Sequence, residues 1–183
     1  MLEREIKLLF DTPETARAAI LAAGATPLRC RRLQEDCLFD TEDETLRLQR
    51  CVLRIRSDNG RSLLTFKGPA QPGPMKLREE HETVVSDGGV LRQVLEELGM
   101  HVWFRYEKYR EEFAAENVTI AVDETPVGIF VEIEGGEEAI VAMAQALGRT
   151  PADFILDSYR ALFIQRRDAC GLTGSDMVFS GQE

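Results

Sequence analysis

Leu2-Glu3-Arg4-Glu5-Ile6-Lys7-Leu8-Leu9-Phe10 opens the chain with a period-two alternation that decides how the rest is read. In an extended strand Glu3, Glu5 and Lys7 share one face, while Arg4, Ile6 and Leu8 share the other. The same split recurs downstream. Arg54 and Arg56 oppose Leu53 and Ile55, Thr65 and Lys67 oppose Leu64 and Phe66, and Asp123 opposes Val122. Glu132 and Glu134 oppose Val131 and Ile133; Lys76, Arg78, Glu80 and Glu82 line one face of a further segment, and Lys108 with Arg110 one face of another. Strands are predicted near 2–10, 35–40, 51–57, 61–67, 75–85, 103–113, 116–123 and 128–134, with a hairpin turn at Asp58-Asn59-Gly60.

A single strand with one charged face is ordinarily the solvated edge of an open sheet. Here the polar faces carry Arg-x-Arg, Lys-x-Arg and Glu-x-Glu pairs on different strands, and like charges two residues apart repel unless counter-charge is supplied. Closing about eight antiparallel strands on themselves turns those faces inward as a polar tunnel and leaves the apolar faces for helices to cover. Four helices are expected. One follows the Thr12-Pro13 start and ends at Gly24; two run over 90–98 and 137–147 and stop at Gly99 and Gly148, and the last runs over 159–169, bounded by Gly171. The fold class is therefore α+β, an eight-stranded antiparallel barrel flanked by helices, as a single domain over 1–170. The tail 171–183 is expected to be loosely held unless Met177, Val178 and Phe179 pin it, and the Pro- and Gly-rich stretch 68–74 reads as an irregular lip.

Composition narrows the function. The 183 residues are 30% charged and 44% hydrophobic, a globular balance, with a formal charge of -10 that disfavours nucleic acid and anionic membrane as partners. Neither a membrane-spanning run nor a signal peptide is visible, so a cytoplasmic protein is expected. Cys30, Cys37, Cys51 and Cys170 lack metal-binding spacing and are expected as reduced, small core residues. With only His81 and His101 available as bases, a nucleophile triad is disfavoured, and no Gly-Lys-Ser/Thr follows the glycines of 68–74 to make a P-loop.

The inward inventory points to one ligand class. Lys7, Arg54, Arg56, Lys67, Lys76, Arg78, Lys108 and Arg110 can grip phosphate oxygens, the arginines bidentately. Glu3, Glu5, Glu80, Glu82, Asp123, Glu132 and Glu134 can hold a hard divalent cation that also binds phosphate. A polyphosphate with Mg²⁺ or Mn²⁺ fits both sets.

Glu3-Arg4-Glu5-Ile6-Lys7 resembles the E-x-E-x-K signature of the CYTH-domain proteins, the triphosphate tunnel metalloenzymes. The resemblance continues through Asp36-Cys37-Leu38-Phe39-Asp40, similar to a D-x-Y-F-D segment with Leu38 in place of the aromatic, then Leu53-Arg54-Ile55-Arg56 and Leu64-Thr65-Phe66-Lys67-Gly68-Pro69. Arg78-Glu79-Glu80, Glu107-Lys108-Tyr109-Arg110, Asp123-Glu124-Thr125-Pro126, Phe130-Val131-Glu132-Ile133-Glu134-Gly135 and Ser158-Tyr159 follow in family order, so almost the whole chain to about Phe163 is covered. The short motif is weak alone; the ordered series is specific.

The resemblance implies metal ligands at Asp123, Glu132 and Glu134, with Glu3, Glu5 and one of Glu80 or Glu82 for a second metal. It implies a triphosphate grip of Arg54, Arg56, Lys67, Arg78, Lys108 and Arg110. Lys76 at the loop edge is a further binding candidate, and Lys7, Lys67 and Arg56 are the candidates for direct catalytic roles, Lys7 positioning or activating the nucleophile. Implied substrates are tripolyphosphate, ATP or thiamine triphosphate, and a homodimer is an allowed assembly. Triphosphate hydrolysis is expected ahead of adenylate cyclisation, because a His-Phe pair that precedes E-x-E-x-K in class IV cyclases is absent. A non-catalytic polyphosphate- or nucleotide-binding module is the alternative of another class. His81, Tyr109, Tyr159 and Trp103 read as structural or packing residues, although Trp103 could stack on an organic ring.

Overall fold

A computed structural model describes residues 1–179. Its strands are β1 (Leu2–Phe10), β2 (Thr26–Thr41), β3 (Val52–Asp58), β4 (Arg61–Lys67), β5 (Lys76–Val85), β6 (Met100–Ala115), β7 (Val118–Thr125) and β8 (Gly128–Gly135). They close into a barrel in the order β1-β5-β4-β3-β2-β6-β7-β8, every pair antiparallel. Closure depends on β1, which pairs with β5 through Leu2–Glu5 and with β8 through Glu5–Phe10.

The predicted hairpin joins β3 to β4, and Asn59 and Gly60 both take positive φ, 51° and 77°, as a two-residue turn of that hand requires. β2 begins nine residues earlier than expected. Its first half, Thr26–Gln34, is mostly exposed and pairs with the far end of β6 across register shifts at Pro27/Arg29 and Arg29/Arg32, so the buried alternation that identifies a strand is missing there. The lip 68–74 folds back through a 2.7 Å hydrogen bond from Gln71 N to Leu77 O, and Met75 beyond it is buried.

The helices are α1 (Pro13–Ala22), α2 (Thr45–Leu48), α3 (Gly88–Glu97), α4 (Glu137–Ala146) and α5 (Tyr159–Arg166). Thr12 caps α1 through Thr15 N, with Pro13 at its first position. Ile20 of α1 and Ile140, Met143 and Ala144 of α4 bury against Ile6, Leu8, Ile120, Val131 and Ile133 from the outer faces of β1, β7 and β8. A second apolar cluster joins Leu162 and Phe163 of α5 to Phe104, Tyr106 and Phe130. The expected helical cover is incomplete: α3 buries no residue fully, and Phe66 and Val84 on β4 and β5 remain exposed.

The cysteines are free, but the expectation of core positions is corrected: Cys30 and Cys170 are exposed and Cys37 and Cys51 half-buried. Within the tail, Met177 is fully buried and bridges Tyr106, and Asp176 Oδ1 accepts from Arg105 N at 2.8 Å, so residues 176–179 run pinned along β6. Residues 180–183 of the predicted tail lie outside the described residues. No helix among the described residues is long and apolar enough to cross a membrane.

Candidate active site

The barrel encloses a cavity of about 900 Å³. Every sequence-predicted site residue except Asp123 lines it. Thirteen lysines and arginines face eight aspartates and glutamates there, so the interior is locally positive in a chain of net charge -10.

The charges are paired across strands in a definite pattern. Lys7, almost fully buried, lies 3.2 Å from Glu5 Oε1 and 3.4 Å from Glu132 Oε1. Burial alone lowers its ammonium pKa, but the charges of Glu5 and Glu132 outweigh burial and hold it above the usual lysine range. Lys76 Nζ shares Glu5 Oε1 at 2.7 Å, yet burial and the neighbouring Lys7 push it down to about 8. Lys67 Nζ bridges Glu3 Oε2 at 2.7 Å and Glu80 Oε2 at 2.8 Å. Glu80 thus stands with Glu3, whereas Glu82 accepts from Thr65 Oγ1 at 2.8 Å and keeps 40% of its side chain exposed. Burial, followed by its hydrogen bond with Glu80, raises the Glu3 carboxyl to about 8. Burial and the charge of Glu5 also raise Glu134.

Asp123 lies on the inward side of β7, opposite the outward Ile120 and Val122, and is covered there by side chains that line the cavity. It is fully buried beneath them: Lys108 Nζ donates to Oδ2 at 2.8 Å, Arg110 Nε to Oδ1 at 2.6 Å, and the Tyr159 hydroxyl to Oδ2, while Arg110 Nη2 is shared between Asp123 and Glu132. Tyr159, read from the sequence as a packing residue, packs against Tyr106 and Phe130 and also meets the cavity: Lys7 Nζ lies 5.3 Å and Lys108 Nζ 4.7 Å from the ring centroid. Its position follows from the chain path, since Ile155 bridges Lys7 and Ser158 caps α5 through Ala161 N. Tyr109 stays outside, with the Arg31 guanidinium 3.7 Å from its ring centroid. His81 is exposed and lies 3.3 Å from Glu79.

Trp103, also read as packing, lines one end of the cavity, where Arg47 and Arg160 lie over its ring at 4.5 and 5.8 Å. Sequence reasoning left the polar residues of β2 out of the site. Gln34 lines the cavity and donates to Asp58 Oδ2 at 2.9 Å, and Asp36 is fully buried against Arg54 and Arg56. The available signal was the alternation of Gln34, Asp36 and Leu38 opposite Arg54 and Arg56.

The carboxylates offer only oxygen donors, the chemistry a hard divalent ion takes. Among the described residues no three acidic, histidine or cysteine side chains are gathered closely enough to hold one. After burial, Glu80 raises the neighbouring Glu3 carboxyl and Glu5 that of Glu134, shifts that a bound divalent cation would oppose, so the donor set fits such an ion in kind.

Residues 1–159 match the family model of the CYTH domain. A Methanocaldococcus jannaschii protein provisionally named an adenylate cyclase is 30% identical over 135 residues, 73% of this chain and 77% of the relative. The fold is shared with a Vibrio parahaemolyticus structure, provisionally an adenylate cyclase, at a TM-score of 0.80 and 21% identity, covering 90% of this chain and 98% of that one. A Hippeastrum protein, provisionally an adenylyl cyclase and described as having a dominant triphosphatase activity, superimposes at a TM-score of 0.65 with 19% identity, covering 94% of this chain and 97% of its own. The closed eight-stranded barrel, its charged interior and these matches define the class: the chain belongs to the CYTH family.

Proposed function

We propose that the chain is a metal-dependent triphosphatase whose substrate is inorganic tripolyphosphate or a small organic triphosphate. The observation that carries this reading is the basic lining of the cavity, thirteen lysines and arginines against eight aspartates and glutamates. Arg50 is among them, and Arg47 and Arg160 already lie over Trp103, the one tryptophan of the chain. With Trp103 covered in this way, the lining suits phosphate oxygens better than an aromatic ring.

In this reading Arg54, Arg56, Arg78, Lys108 and Arg110 bind the phosphate chain and stabilise the charge that develops on the transferred group. Lys67 and Lys76 offer ammonium groups beside Glu3 and Glu5. Lys7, kept charged by Glu5 and Glu132, orients the attacking water by donating a hydrogen bond and does not serve as the base. Glu3, Glu5, Glu80, Glu132 and Glu134 are the residues that would hold Mg²⁺ or Mn²⁺. A bound divalent ion supplies Lewis-acid polarisation of the phosphate oxygens. Asp123 belongs to the grip, as the counter-ion of Lys108 and Arg110.

Adenylate cyclisation is the second reading. It is favoured by the name of the 30%-identical relative and by a cavity of about 900 Å³, which leaves room beyond three phosphates. Phosphorus NMR of the protein with Mg²⁺, then Mn²⁺, offered ATP and tripolyphosphate together, separates the readings. Conversion of tripolyphosphate to pyrophosphate and orthophosphate is the expected result. A cyclic-phosphate resonance with pyrophosphate would replace it by cyclisation, and binding without turnover would make the chain a polyphosphate-binding module.

A further inference from the structure

Arg54 and Arg56 stand two residues apart on β3 and both face the cavity, an arrangement in which two guanidiniums repel. Asp36 lies directly across from Arg56 in the β2–β3 register and across from Tyr106 in the β2–β6 register. Its side chain has no solvent exposure. Oδ1 accepts from Arg56 Nε at 2.8 Å and Oδ2 from Arg56 Nη2 at 3.4 Å, a two-point hold that fixes the plane of that guanidinium. Arg54 Nε lies 3.3 Å from the same Oδ1 as an ionic contact, while its Nη2 donates to Thr65 Oγ1 at 3.1 Å. One buried carboxylate therefore neutralises the pair from behind and occupies the Nε edge of Arg56. No hydrogen bond to the protein uses Arg56 Nη1 among the described residues.

We propose that Asp36 is a positioning residue for the phosphate grip, holding Arg54 and Arg56 side by side and oriented before the ligand arrives. Being fully buried, it acts only through the two arginines. This inference rests on the triphosphate reading above. Preorganisation of this kind removes the cost of gathering two like charges when the ligand binds, so its loss falls on affinity.

The test is calorimetric binding of tripolyphosphate, without turnover, to wild type, Asp36→Asn, Arg56→Ala and the double variant. Asp36→Asn should weaken binding by roughly 10- to 100-fold, the range typical of residues that orient a binding group. It should cost clearly less in the Arg56→Ala background than in the otherwise wild-type protein, because only Arg54 is left there for it to orient. Asp36→Glu, which keeps the charge, should recover part of the loss. A purely structural role would instead give equal losses in both backgrounds and would overturn the proposal, as would binding by Asp36→Asn within threefold of wild type. Wild type that does not bind tripolyphosphate overturns the triphosphate reading and takes this proposal with it. Should Asp36→Asn not fold, NMR of the wild-type arginine Nε–H groups decides: the Arg56 signal, assigned by its loss in Arg56→Lys, should exchange slowly with solvent. Exchange as fast as that of exposed arginines would overturn the proposal.

Discussion

The hydroxyl of Tyr159, at the first residue of α5, donates to Oδ2 of Asp123 in the wall of the barrel, the same oxygen that accepts from Lys108. Burial, and then the charge of Asp123, hold the phenol well above its usual range, so it remains a donor at every working pH. Tyr159→Phe removes one hydrogen bond to a buried charge, worth on the order of 1.5–3 kcal/mol. Thermal unfolding should show a Tm lower by roughly 5–10 °C. Steady-state kinetics should show a higher KM for tripolyphosphate, because Lys108 and Arg110 lose a partner of their shared counter-ion. An unchanged Tm would mean that the helix is anchored by Leu162 and Phe163 alone.

Trp103 offers an optical report on the same cavity. Arg47 and Arg160 lie over its ring, and it is the only tryptophan in the chain. A phosphate chain that draws either guanidinium off the ring changes the environment of the indole. Titration with tripolyphosphate should give a saturable change in emission, reduced in Arg160→Ala. A spectrum that stays constant at saturating ligand would place the phosphates away from this end of the cavity.

Asp40 sets an acid limit on the fold. It is fully buried and accepts from Thr41 N at 2.9 Å, Leu46 N at 2.9 Å and Arg47 Nε at 2.9 Å, tying the short α2 to β2. Burial tends to raise this carboxyl, but the hydrogen bonds from Leu46 and Arg47 outweigh it and hold it below the ordinary range. With the folded value depressed, the stabilisation is complete above the unfolded value of about 3.9 and is lost as the pH falls through the folded one. Denaturant unfolding at pH 7 should find Asp40→Asn less stable by on the order of 2–3 kcal/mol. As the pH falls through the depressed folded value the two proteins should converge, since wild type then loses the same charge. A constant difference across that range would assign the loss to packing.

How much of this was readable from residues alone follows from the range of each interaction. The direction of a side chain on a strand is local geometry, so the charged faces of Glu3-x-Glu5-x-Lys7, Arg54-x-Arg56 and Glu132-x-Glu134 could be placed in one interior, and β1 falls on Leu2–Phe10 as predicted. Pairing is not local. That Asp123 would be covered by Lys108 and Arg110, or that Asp36 would serve both Arg54 and Arg56, depends on registers between paired strands. Tyr159 packs as expected, against Tyr106 and Phe130, but its contact with the cavity was not legible for the same reason, because it depends on Ile155 meeting Lys7, a contact across about 150 residues of sequence.

Glu132 gives the sharpest separation of metal chemistry from simple ion pairing. Its carboxylate lies 3.4 Å from Lys7 Nζ and pairs with Arg110, and although burial tends to raise it, the charges of Arg110, Lys108 and Lys7 hold it well below the usual range. Glu132→Gln preserves shape and removes that charge, leaving two buried cations short of a partner, and Glu5 and Asp123 continue to hold Lys7 and Arg110 in place. Far-UV circular dichroism should therefore be unchanged. If Glu132 also holds the divalent ion, turnover of tripolyphosphate should fall by at least about 100-fold at fixed Mg²⁺, and Mn²⁺ binding followed by electron paramagnetic resonance should weaken in the absence of substrate. Were Glu132 only a counter-ion, Mn²⁺ affinity would stay at the wild-type value and the loss would appear in KM for the phosphate chain. Wild-type turnover in Glu132→Gln would remove this residue from the proposed metal set and leave Glu3, Glu5, Glu80 and Glu134 as the remaining donors.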